Sequence, residues 1–207
     1  MKLTSATDYL WQPSQGRYLM VVLHGRGDSP YGFEWLGREL GLDGVSYLLL
    51  QAPDPYYDGY SWYDLPPDQG PGIARSSALL TRIFDELETV GYAPENTFLF
   101  GFSQGCLMTL EFGGRYGHRL RGYIGVSGYC HDAKRLTAEA APAVMQADWL
   151  ITHGTDDDVL PVETTRAQMA ILKSGGFHLE YREYPKTHTI DPDEELPFIR
   201  EWIRKRL

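Results

Sequence analysis

Ser103 stands in Gly101-Phe102-Ser103-Gln104-Gly105, a G-x-S-x-G pattern directly after the apolar run Thr97-Phe98-Leu99-Phe100. A serine hydroxyl is a poor nucleophile at neutral pH, so this spacing carries chemistry only if a tight strand-to-helix turn lifts the residue and a base is brought to it. The flanking glycines suit a turn whose φ values a side chain would resist and behind which a helix backbone packs closely. Cys106 to Phe112 continues in a helical pattern, and Gly122-Tyr123-Ile124-Gly125-Val126 reads as the next strand. That is the context a nucleophile elbow requires. Alone, the pattern also fits a small-residue turn, and the other parts of an acyl-transfer site must decide between the two.

Those parts follow in the order serine, acid, histidine. After the apolar run Trp149 to Thr152 come Asp156-Asp157-Asp158, and after the alternating run His178 to Tyr184 comes His188. Of the six histidines, His24, His118, His131 and His153 precede the acid and His178 lies in a predicted strand. His188, in a loop free to reach the elbow, is the candidate base. Spacing does not choose among the three aspartates, since an acidic turn capping the helix that begins near Pro161 accounts for at least two of them. An oxyanion hole needs backbone N–H groups from the residue after the nucleophile, Gln104, and from the loop His24-Gly25-Arg26-Gly27-Asp28.

The elements that must position these residues alternate along the chain. Runs at Arg17 to Leu23, Val45 to Leu50, Thr97 to Phe100, Gly122 to Val126 and Trp149 to Thr152 are separated by helical patterns, which predicts an α/β fold with a mostly parallel central sheet flanked by helices on both faces. The clearest helix is Ile73 to Val90, followed by Pro161 to Lys173 and Asp191 to Arg206, and Tyr9 to Trp11 reads as an antiparallel edge strand. The span from Ala52 to Gly72 is expected to be a long irregular loop. Its aromatics, Tyr56, Tyr57, Tyr60, Trp62 and Tyr63, argue against disorder, and Tyr60, Trp62 and Tyr63 are candidates to wall an apolar acyl pocket or to pack the loop onto the domain.

The 207 residues suffice for one domain, residues 1–207. A formal net charge of -9 disfavours nucleic acid as a partner, because neutralising phosphates takes clustered Lys and Arg. No run approaches the roughly 18 apolar residues of a membrane span, and the first residues lack the apolar core of a signal peptide. A cytoplasmic protein without integral membrane association is therefore expected. Cys106 and Cys130 make no disulfide framework, and no side chains have metal-ligand spacing, so neither metal nor cofactor is expected.

Taken in order, Leu23 to Asp28, Gln51-Ala52-Pro53, Ser61-Trp62-Tyr63-Asp64, Gly72-Ile73, Gly101 to Gly105, His153-Gly154 through Pro161 and His188 resemble the carboxylesterase, lysophospholipase and acyl-protein thioesterase family of α/β-hydrolases. The resemblance implies Asp157 as the acid, because the family writes His-Gly, two variable residues and then the catalytic aspartate. It also implies Arg26 as the second oxyanion donor. The chain departs from the family in carrying Arg26 in place of an aliphatic residue, Asp158 in place of proline, Cys106 in place of glycine, and no glycine in Pro185 to Thr187. The Arg26 guanidinium is expected either to favour an anionic substrate or to pair with Asp28. The expected activity is hydrolysis of carboxylic esters or thioesters, of short to medium acyl chain, through an acyl-enzyme on a Ser103-His188-Asp157 triad. The substrate is a small molecule or an acylated partner, and the protein a monomer or homodimer. Acyl-protein thioesterase or lysophospholipase activity, and a non-catalytic ligand-binding protein on the same fold, are the alternatives.

Overall fold

The computed structural model describes residues 1–207. The strands are β1 (Tyr9–Gln12), β2 (Tyr18–Leu23), β3 (Val45–Leu50), β4 (Asp54–Tyr56), β5 (Gly59–Ser61), β6 (Thr97–Phe102), β7 (Gly122–Val126), β8 (Trp149–Gly154) and β9 (Leu179–Tyr184). The helices are α1 (Leu36–Leu40), α2 (Gln69–Thr89), α3 (Gln104–Gly113), α4 (Ala133–Glu139), α5 (Pro142–Met145), α6 (Val162–Ser174) and α7 (Glu195–Arg204). Seven strands form one sheet in the order β1-β3-β2-β6-β7-β8-β9, parallel throughout except for β1, which runs antiparallel on β3 at the edge.

The central strands read as continuous apolar runs because both of their faces are covered. Along β2, Leu19, Val21 and Leu23 enter one core cluster while Tyr18, Met20 and Val22 enter another, as the two-residue period of a strand dictates. The larger cluster is closed by α2 to α6 through residues such as Leu80, Phe84, Leu107, Leu136 and Met169. The smaller is closed by α1 and α7 through Leu36, Leu40, Leu196, Ile199, Trp202 and Ile203.

The sequence reading needs four corrections. Helix α7 begins at Glu195 and not at Asp191, because the Asp191 carboxylate lies ahead of the helix and accepts from the N–H groups of Glu194 and Glu195. Ala52 to Gly72 is not irregular throughout: β4 and β5 pair as a hairpin across it, Asp54 opposite Ser61 and Tyr56 opposite Gly59, with Tyr57 at φ 49° in the turn. Helix α2 begins at Gln69, four residues before the predicted start, and Pro71 is accommodated in its first turn, where no intrahelical N–H is needed. The glycines of the elbow have ordinary φ values; the strain sits on Ser103, and the glycines serve close approach. A Cβ on Gly105 would stand 2.1 Å from the Leu23 carbonyl oxygen, and one on Gly101 2.1 Å from that of Gly105.

After β2 the chain turns back to β3 on one side, whereas after β6 it proceeds to β7 on the other. Adjacent strands whose connections diverge in this way leave a crevice at their C-terminal ends, where an open α/β sheet has room for a ligand. The loop after β2 and the turn after β6 therefore meet there.

Candidate active site

Ser103 occupies that turn at φ 54° and ψ −113°, a region that costs a non-glycine residue about 1–3 kcal/mol and must be imposed by its surroundings. The Ser103 N–H donates to the Val126 carbonyl at 2.9 Å, and the Ser103 carbonyl accepts from Leu107 N–H at 3.2 Å, tying the turn to β7 in front and α3 behind. Its hydroxyl lies 2.9 Å from His188 Nε2. His188 Nδ1, in the loop after β9, lies 2.8 Å from Asp157 Oδ2, in the loop after β8. Nδ1–H then donates to the carboxylate, which leaves Nε2 with its lone pair directed at the serine hydroxyl.

Asp157 is distinguished from its neighbours by burial: its side chain is inaccessible, whereas Asp156 and Asp158 face solvent. Its Oδ1 accepts from the N–H groups of Val159 at 3.0 Å and Leu160 at 2.8 Å. Burial pushes this carboxyl up, but the Leu160 N–H, the His188 imidazole and the Val159 N–H outweigh it and hold the group below the ordinary aspartate range. His153, which is fully buried, backs the same loop by donating from Nε2 to the Leu160 carbonyl at 2.8 Å.

The loop after β2 lies against the elbow, since a Cβ on Gly25 would stand 3.4 Å from that of Ser103. Within the loop Gly27 N–H donates to Tyr60 O at 2.8 Å and Asp28 N–H to Gly25 O at 3.3 Å, whereas Arg26 N–H makes no hydrogen bond in the protein. Gln104 opens α3, so its N–H has no intrahelical acceptor. Both candidate oxyanion donors are thus uncommitted. His24 holds the base of the loop. Its Nδ1–H donates to Gly25 O at 2.6 Å, and its Nε2 accepts from Ala52 N–H at 3.1 Å. Burial pushes its pKa down, which fits this neutral tautomer.

Two of the three aromatic candidates are structural. Trp62 and Tyr63 are 0% and 1% exposed and belong to the larger core. Trp62 Nε1 donates to His24 O at 2.9 Å, and its carbonyl accepts from Ser76 at 2.6 Å. The Gln104 amide binds the same segment, accepting from Trp62 N–H at 2.9 Å and Ser61 Oγ at 3.1 Å and donating to Tyr63 O at 2.8 Å. Only Tyr60 remains partly open, paired with Asp28 across an isolated bridge. The alternative of an Arg26–Asp28 pair is also set aside: Asp28 Oδ1 accepts from Ser29 N–H at 2.7 Å, and the guanidinium lies 4.0 Å from the Tyr56 ring centroid.

Sequence reasoning missed Lys186 and Glu195. Lys186, two residues before the histidine, is buried and spends its three ammonium protons on Ser127 Oγ at 3.0 Å, Thr189 O at 2.6 Å and Glu195 Oε2 at 2.7 Å. Burial lowers its pKa while Glu195 acts to raise it. This pair fastens the histidine loop to the start of α7. The only signal in the sequence was the absence of glycine from Pro185 to Thr187. Cys106 is buried in α3 with its thiol pushed up to about 12 by burial, which makes it a packing residue and not a second nucleophile. No group of three or more His, Cys, Asp or Glu side chains is arranged to hold a metal ion, and no helix is long and apolar enough to cross a membrane. A cavity of about 530 Å³ opens between α2, α3 and α4, away from the crevice; none of the three triad residues lines it.

A family profile described as Phospholipase/Carboxylesterase matches residues 12–207. The chain is 30% identical to carboxylesterase SOBER1 of Arabidopsis thaliana over 210 residues, which cover 92% of this chain and 91% of that protein. The crystal structure of Arabidopsis thaliana SOBER1 superposes with a TM-score of 0.84 at 28% identity, covering 92% of this chain and 99% of the other. Acyl-protein thioesterase 1 of Schizosaccharomyces pombe is 27% identical over 166 residues, 74% of each chain.

Proposed function

This chain belongs to the phospholipase/carboxylesterase family, and on that premise we propose that its Ser103, His188 and Asp157 hydrolyse carboxylic esters through an acyl-enzyme. The chain is a carboxylic ester hydrolase of the serine type. The single observation that carries the residue assignment is the hydrogen-bonded series from Ser103 Oγ through His188 to Asp157, at 2.9 and 2.8 Å.

In this reading Ser103 Oγ attacks the acyl carbonyl as His188 Nε2 takes its proton. The imidazolium that forms is stabilised by Asp157, which stays ionised because its other oxygen is held by two N–H groups. The tetrahedral oxyanion accepts from Arg26 N–H and Gln104 N–H, each worth roughly 10²–10³ in rate. His188 then protonates the departing alcohol or thiol, and water repeats the sequence to release the acid.

The reading of short to medium acyl chains is supported by the burial of Trp62 and Tyr63, which close the loop onto the core instead of lining a channel. Tyr60 is retained as a wall of the acyl site. A thioester of an acylated protein is the second reading, favoured by the likeness to the fission-yeast thioesterase. A cytoplasmic location is supported by two cysteines, Cys106 and Cys130, that are both free and buried.

Labelling with a fluorophosphonate, followed by intact mass, tests the assignment. One adduct per chain is expected in the wild type and none in Ser103→Ala or His188→Ala. A series of p-nitrophenyl esters from two to sixteen carbons then measures the acyl site, with the optimum expected at eight carbons or fewer. A well-folded wild type that takes no label would overturn the reading.

A further inference from the structure

Arg26 stands on the loop that borders the crevice, its guanidinium over the Tyr56 ring and in no ion pair. In a chain with net charge -9, Arg115, Arg135 and Arg166 each pair with glutamates, yet Arg26 does not. Asp58, in the turn of the hairpin that holds it, is exposed and pairs with no cation, and the other two acids on these segments are engaged elsewhere. Asp28 caps the turn at Ser29, and Asp54 on β4 pairs with Arg75. The Arg26 Nε is buried with no hydrogen-bond partner.

The guanidinium is nonetheless held in place. It lies over the Tyr56 ring at 4.0 Å, and Tyr57 packs edge-on against Tyr56 at 4.6 Å. The backbone beneath it is fixed to β5 by Gly27 N–H to Tyr60 O at 2.8 Å and Tyr60 N–H to Asp28 O at 2.9 Å. The Nη groups of this ordered guanidinium donate to no acceptor in the protein, and a planar pair of such donors matches a carboxylate or a phosphate. Its backbone is one residue from Gly25, where a Cβ would stand 3.4 Å from that of Ser103. The guanidinium therefore lies within an arginine side chain's length of the elbow, within reach of a substrate that spans the crevice.

We propose that Arg26 receives an anionic group of the substrate, a carboxylate or phosphate carried some atoms away from the scissile ester, and so selects anionic over neutral esters. This deepens the esterase reading and rests on it. The anion belongs either to the acyl part or to the leaving alcohol, and two pairs of esters separate these sources. The acyl pair is the p-nitrophenyl hemiester of glutarate against p-nitrophenyl valerate. The leaving-group pair is 4-carboxyphenyl butyrate against 4-carbamoylphenyl butyrate.

The wild type is expected to favour the anionic member of one pair by at least tenfold in kcat/KM, with the preference shrinking as salt is raised from 0.05 to 0.5 M. Arg26→Met is expected to reduce that ratio by about tenfold or more, and Arg26→Lys to keep part of it, since the charge remains but the fork does not. Equal treatment of both members of both pairs by an active wild type, or a ratio that survives Arg26→Met, overturns the Arg26 assignment alone. A wild type that turns over none of the four esters overturns the esterase reading and this one with it.

Discussion

Asp156, Asp157 and Asp158 are chemically identical side chains in one turn, and only the middle one is removed from water and given two backbone N–H donors. Those donors keep its charge, and its charge fixes which nitrogen of His188 is protonated. In Asp157→Asn the amide oxygen still accepts from Val159 and Leu160, but its NH₂ faces Nδ1 and reverses the tautomer. We therefore expect kcat to fall about 10⁴-fold with KM little changed, read by steady-state kinetics. The same carboxyl is linked to stability. Its folded pKa lies below the unfolded value near 3.9, so its contribution is full above that pH and is lost as pH falls through the folded value. Wild type should accordingly lose stability relative to the asparagine variant as pH drops below about 4. At this scale the sequence was legible where chemistry restricts residue type, as at Ser103 and His188. It was not legible where a contact decides between like residues: Asp28 turns to Ser29 and not to Arg26, and nothing in the tripeptide Arg26-Gly27-Asp28 announces it.

Elements were legible in proportion to their length and burial. The run Val45–Leu50 is a strand with the bounds its apolar residues suggest, because a strand covered on both faces is mostly apolar; its one small polar residue, Ser46, is buried and accepts from Ser14 N–H at 2.9 Å. The hairpin of β4 and β5 escaped notice because three-residue strands rich in Tyr, Pro and Gly show no period, and the five residues of α1 are too few to display one. The Lys186–Glu195 pair joins a loop to a helix nine positions on, a relation that only the fold creates. Since this pair anchors the histidine loop, it supplies the prediction at this scale. Lys186→Met leaves the Glu195 carboxylate buried without its counter-charge and should cost roughly 3–5 kcal/mol in urea unfolding. Lys186→Met combined with Glu195→Leu removes both charges and should recover most of that loss. Equal stability of the single variant and the wild type would show that the pair does not hold the loop.

On the scale of the whole molecule the two faces of the sheet are unequally covered. One carries five helices, α2 to α6, the other only α1 and α7, so the ten residues of α7 form most of that second layer. Leu196, Ile199, Trp202 and Ile203 are each 4% exposed or less. At about 1.5–3 kcal/mol per fully buried large side chain their burial amounts to roughly 6–12 kcal/mol, which matches the entire stability of an ordinary domain. A chain truncated after Pro192 should therefore fail to fold cooperatively, as judged by circular dichroism and protease resistance. The Gln104 amide has a consequence for anyone diversifying this enzyme. Its three hydrogen bonds staple Ser61 to Tyr63, and Tyr60 is bound to the loop of Arg26, while the exposed turn at Tyr57 and Asp58 is tied to neither. Libraries at the exposed turn residues 57 and 58 can therefore explore new substrates at small cost in catalysis, whereas libraries at 59–63 will return mostly inactive clones, because Gly59 and Tyr60 pack on the loop of Arg26 and residues 61–63 pull on Gln104, the two residues whose N–H groups would hold the oxyanion.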